Sequence, residues 1–81
     1  MLPSFTPRES DVLEVLLRSP GLTNKGLARS VHMREGTVKI HIAHVARKLG
    51  VSTKAEIVAT LIRAGYDRSY SGFYSHALEY V

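Results

Sequence analysis

The sequence predicts an all-α domain, a four-helix bundle over residues 6–65 with an aromatic C-terminal tail, and three observations predict it. Apolar residues recur every three or four positions rather than alternating. Threonines at 6, 23 and 53 stand where helix N-caps belong, and glycines at 21, 50 and 65 stand where helices stop. None of the 81 residues is a cysteine, so neither disulfides nor a thiolate metal cluster can hold the fold and an apolar core must do so.

The first helix, 7–18, opens on Thr6 with Pro7 at its first position and Glu9 three residues after the cap, which is a capping box. Val12, Leu13, Val15, Leu16 and Leu17 supply core contacts, with Asp11, Glu14 and Arg18 on the other side, and Ser19, Pro20 and Gly21 end it. Thr23 caps a short helix, 24–31, with Leu27, Ala28 and Val31 inward. Only Val31 to Arg34 separates it from a third helix at 35–49, and two helices so closely joined form a helix-turn-helix.

The third helix carries the functional signal. With Val38 at 0° and about 100° per residue, Ile42, Val45 and Leu49 fall within about 40° of it, while Gly36, Ile40, Ala43 and Arg47 gather at the opposite pole. Lys39 and His44 flank that second set. The outward face thus combines small residues, positive charge and an isoleucine, which an ordinary solvated face rarely holds. Small side chains permit close approach, and an apolar one can sit against a thymine methyl in the major groove.

A second capping box, Thr53 to Glu56, starts a fourth helix at 54–64. Its apolar arc, Ala55, Ile57, Val58, Ala59, Leu61 and Ile62, spans about 200°, wider than the ~100° needed to dock on one core. Part of the arc is expected to pack on its own domain and part on a symmetry mate, with the tail as the alternative occupant. Residues 1–5 read as an N-terminal lead. The tail, 66–81, holds Phe73 and all four tyrosines, and Ser75 can cap a last turn through His76, Ala77, Leu78 and Tyr80.

The net charge of +4 is concentrated. Residues 21–56 hold seven basic side chains against two acidic ones, whereas the segments before and after are near balance. A positive field centred on the third helix suits phosphate binding. No apolar run approaches the ~20 residues a bilayer span needs, so a cytoplasmic protein with no membrane partner is expected.

Phe5, Thr6, Pro7 and Glu9, then Gly21 to Lys25, Leu27 and Ala28, then Glu35 to Lys39, His41, and Lys48 to Val51, occur in this order and spacing. The sequence from about 5 to 66 therefore resembles the LuxR/GerE-type, also called FixJ/NarL-type, helix-turn-helix family of bacterial transcription regulators. The resemblance implies a sequence-specific transcription regulator on double-stranded DNA, with residues 35–49 in the major groove and a homodimer through the fourth helix at Val58, Leu61 and Ile62. Carried over by position, it places Lys39, Ile40 and Ala43 at base edges. Asn24, Lys25, Thr37, His41, Arg47 and Lys48 fall at or near positions that contact phosphates, and Arg34 and His44 join them on charge and helical phase. His41, toward the core side, is read as a half-buried imidazole reaching a phosphate. Family members carry an N-terminal receiver or ligand-binding domain, and both a stand-alone regulator and a fragment of a longer one fit this chain.

Three positions depart from the family pattern. Gly26 replaces the usual acidic residue and leaves the Thr23 box half made, Arg34 replaces a small polar cap, and Ala43 replaces a longer polar side chain. Base reading is therefore expected to rest on Lys39 and Ile40.

Other classes have weaker support. His41 and His44 are three apart, but no ligand set completes around them, so no metal or cofactor is predicted. No nucleophile, base and carboxylate are spaced for catalysis, and no glycine-rich phosphate loop is present. The promoter-reading region of sigma factors shares the helix-turn-helix but ends soon after its recognition helix. The competing reading is a protein-interaction module of the same fold that sequesters a partner through the fourth helix and tail. An activator would also touch RNA polymerase or another regulator, and no residue marks such a surface.

Overall fold

Thr6, Thr23 and Thr53 each open a helix. The computed structural model describes residues 2–66, arranged as α1 (Pro7–Arg18), α2 (Asn24–Val31), α3 (Glu35–Leu49) and α4 (Lys54–Arg63). The first three helices coincide with their predicted spans. The fourth ends one residue early, with Ala64 as its cap and Gly65 in the left-handed region at φ 70°. The turn expected at Ser75–Tyr80, like everything in residues 67–81, lies outside the described residues.

At α1 the capping box is reciprocal: the Glu9 N–H donates to Thr6 Oγ1 at 3.1 Å and the Thr6 N–H donates to Glu9 Oε1 at 2.9 Å. Thr23 Oγ1 accepts the Gly26 N–H at 3.1 Å, and glycine has no side chain to answer. The Thr53 box takes a different form from the predicted one. Thr53 Oγ1 accepts the Glu56 N–H, but the Glu56 carboxylate reaches the Ser52 N–H and the Thr53 hydroxyl instead of the Thr53 N–H. Arg34 makes no capping hydrogen bond, so the first N–H groups of α3 are uncapped by side chains.

The turn of the helix-turn-helix is held by His32, which adopts left-handed φ 56°, ψ 45°, and by the Met33 N–H, which donates to Ala28 O at 2.9 Å. Histidine tolerates that region better than most residues with a Cβ. At the far end of α3, Gly50 takes φ 72° and the Val51 N–H returns to Ala46 O at 3.0 Å, a C-terminal motif that needs glycine.

The core is drawn from all four helices: Val12, Leu13 and Leu16 from α1, Leu27, Ala28 and Val31 from α2, Val38 and Val45 from α3, Ile57 and Leu61 from α4. Ile42 and Leu49 pack at its edge, completing the predicted stripe of α3, which packs against each of the other helices.

The core also takes in residues on either side of the predicted 6–65 span. Tyr66, assigned to the tail, is a core residue, its ring meeting Phe5 edge-on at 5.7 Å between centroids. Phe5 and Leu2, assigned to the lead, pack on the same core. The wide arc of α4 divides as expected, but Leu61 falls on the inward half. With 0% exposure it is part of the protein's own core and is unavailable to a second copy. Ile62 is 65% exposed, Val58 is half-buried, and Ala55 and Ala59 are exposed beside them.

Candidate nucleic-acid interface

Because Val38, Ile42, Val45 and Leu49 anchor α3, its opposite side must face outward, and exposure follows that phase. Gly36, Thr37, Lys39, Ile40, Ala43, His44 and Arg47 are all exposed. Ile40 is 56% exposed, one of two large hydrophobic side chains left open among the described residues, the other being Ile62. Lys39 leans toward Glu35 one turn back, Nζ to Oε1 3.9 Å, a loose and exposed pair that a phosphate or base could displace. Lys25 and Arg34 are exposed near the starts of α2 and α3.

Some of the predicted phosphate ligands already have partners within the protein. Lys48 Nζ donates to Glu9 Oε1 at 2.6 Å and to Ser4 O at 3.1 Å, and it lies 5.7 Å from the centre of the Phe5 ring. Its ammonium therefore already has partners within the domain, although about a third of the side chain (34%) is exposed. Asn24 Oδ1 likewise accepts Lys54 Nζ at 3.1 Å. The same ammonium donates to Leu22 O at 3.3 Å, so Lys54 ties the start of α4 to the start of α2. His44 Nδ1 stands 3.9 Å from Glu9 Oε2, with half its side chain in solvent. His41 is half-buried as expected, and its Nδ1 is buried without a hydrogen-bond partner.

Glu9 is the residue that sequence reasoning placed only as a cap. Its side chain is 3% exposed at the junction of α1 and α3. Burial pushes its carboxyl pKa up, but the Lys48 hydrogen bond, the Thr6 N–H and the nearby charges of Lys48 and His41 outweigh burial and hold it below the ordinary carboxylate value. Glu9 and Lys48 are 39 positions apart in sequence, and no local signal marks this pairing.

Among the described residues no three His, Cys, Asp or Glu side chains are grouped to hold a metal, and no helix is long and apolar enough to cross a membrane. What the outward face of α3 offers is positive charge at the margins, small residues at the centre and one uncovered isoleucine.

Comparison with known proteins fits that geometry. The family described as bacterial regulatory proteins, luxR family, matches residues 3–61. The chain is 36% identical over 63 residues to the spore germination protein GerE of Bacillus subtilis, covering 78% of this chain and 82% of GerE. It is 39% identical over 52 residues to the nitrate/nitrite response regulator protein NarL of Escherichia coli, and 36% identical over 62 residues to the transcriptional regulatory protein FixJ of Bradyrhizobium diazoefficiens. Those matches cover 64% and 76% of this chain, but only 23% of NarL and 29% of FixJ.

Proposed function

The chain belongs to the luxR family of bacterial regulatory proteins, a family of DNA-binding transcription regulators rather than enzymes, and from that premise we propose that it is a cytoplasmic, sequence-specific regulator that reads double-stranded DNA as a dimer. The observation that carries this reading is the outward face of α3, where Ile40 lies uncovered between Lys39 and Arg47. In the major groove Lys39, Ile40 and Ala43 meet base edges. Thr37, His41, His44 and Arg47 on α3, with Lys25 and Arg34 beside it, meet phosphates. The uncapped N–H groups at the start of α3 favour an anion there. Selection of bound duplexes from a randomised pool at near-physiological salt tests this. Enrichment of an inverted repeat with half-sites about ten base pairs apart is expected. Unenriched duplexes would overturn it in favour of the partner-sequestering module.

On an enriched site, Lys39→Ala is expected to weaken binding by about 1–3 kcal/mol and relax preference at one position per half-site. Loss of affinity spread evenly over all sequences would remove Lys39 from base reading.

The dimer rests on the outward half of the α4 arc, Val58 and Ile62 with Ala55 and Ala59. Ile62→Asp is expected to leave the melting curve near that of the parent while abolishing cooperative occupation of the two half-sites. Sedimentation showing an unaltered dimer on DNA would place the twofold elsewhere.

A further inference from the structure

Ile40 and Gly36 together carry information beyond the general reading of α3. Ile40 is 56% exposed and contributes nothing to the core. Gly36, one turn before it, has an ordinary helical φ, and a Cβ built there would meet nothing within 4 Å. The fold therefore has no use for a glycine at a position where alanine is the better helix former. Helical side chains lean toward the N-terminus, so Ile40 lies over the turn that Gly36 leaves bare. Ala43, the next residue on that side, ends at its Cβ. Between Gly36 and Ala43 the face is consequently an apolar spot without a side-chain donor or acceptor of its own, flanked by Lys39 and His44, with Arg47 one turn further along the same pole.

Such a surface complements something apolar at its centre and anionic at its rim. The major groove presents one apolar group between its phosphate walls, the C5-methyl of a pyrimidine. We infer that the Gly36–Ile40–Ala43 spot recognises this methyl group itself, so that the domain accepts thymine or 5-methylcytosine at the facing position and rejects unmethylated cytosine. Thymine and 5-methylcytosine differ at C4, oxygen against amino, but the spot has no polar side-chain atom to sense that difference. The methyl group is the feature they share. Binding to a site with cytosine at this position then becomes dependent on cytosine methylation. The inference rests on the DNA reading above and can fail without it.

The test uses duplexes selected by the protein, with each thymine replaced in turn by deoxyuridine, and then with the sensitive T·A pair replaced by C·G or 5-methyl-C·G. At one position per half-site, deoxyuridine is expected to weaken binding about 3–5-fold, the scale of one buried methyl group. Unmethylated C·G should lose at least as much, and its methylated form should bind within about twofold of T·A. Ile40→Ala should flatten all of these differences, whereas Ile40→Val and Lys39→Ala should keep the deoxyuridine penalty. Equal affinity for thymine and deoxyuridine throughout, or an undiminished penalty in Ile40→Ala, would overturn the inference while leaving DNA binding intact. Failure of the parent to select any duplex would overturn both.

Discussion

Leu61→Asp is expected to unfold the domain. Truncating a buried leucine to alanine costs about 2–5 kcal/mol, and placing an ionisable carboxyl at a site with 0% exposure adds the cost of desolvating it. A domain of this size, at about 0.05–0.15 kcal/mol per residue, has only roughly 3–10 kcal/mol in total. Circular dichroism should therefore show loss of helix and no cooperative melt. A folded variant with the parent's melting temperature would mean that α4 turns a different face inward. The contrast with Ile62→Asp is the informative part. These two neighbouring apolar residues on one helix are expected to report separately on folding and on assembly.

Lys48→Met has the second large effect, and on stability rather than on DNA. It leaves the Glu9 carboxylate buried with the Thr6 N–H at 2.9 Å as its close partner, while the methionine retains the packing of the stem. The expected cost at pH 7 is about 1–2 kcal/mol, below the 3–5 kcal/mol of a fully buried pair because the Lys48 side chain is 34% exposed and partly screened. The pH dependence follows from Glu9. In the parent its pKa is lowered on folding, so its contribution to stability is present above the unfolded carboxylate value of about 4.3 and is lost as pH falls through the folded value. Without Lys48 its hydrogen bond and its charge no longer oppose burial, so the folded pKa is expected to rise from that of the parent, and the deficit of the variant should shrink as the medium is acidified toward pH 4. Urea melts at pH 7 and pH 4 measure this. An equal deficit at both values would show that Lys48 acts by packing alone. The salt dependence of DNA binding should be the same in Lys48→Met as in the parent, because this ammonium is occupied by Glu9 and Ser4.

The ends of the helices were legible because the signals are local. Thr6 and Glu9 are three residues apart, Gly50 follows Leu49 directly, and period alone separates the buried Val38 and Val45 from the exposed Ile40. On α4 the apolar arc was visible, but the choice between its two halves depends on how α4 packs on α3, which no local pattern encodes. The polar ties were invisible for the same reason. Glu9 meets Lys48 and Asn24 meets Lys54 across 39 and 30 positions, and each side chain read singly is an ordinary cap or an ordinary basic residue. For the candidate interface, sequence period reached the outward set of α3 but could not know that one of its basic neighbours was already engaged.

The edge-on contact of Phe5 with Tyr66 has a topological consequence. The side chains just before α1 and just after α4 meet at one corner, their ring centroids 5.7 Å apart. A short bridge from residue 66 back to residue 5 would therefore close the chain into a ring, at an entropic cost that grows only slowly with the length of the bridge. Such a ring can be reopened at the exposed Pro20–Gly21 turn, which lies outside the core. The resulting permutant would begin with α2 and α3 and finish with α1. Its helices would meet around the same core, and the chain would enter and leave at a new corner.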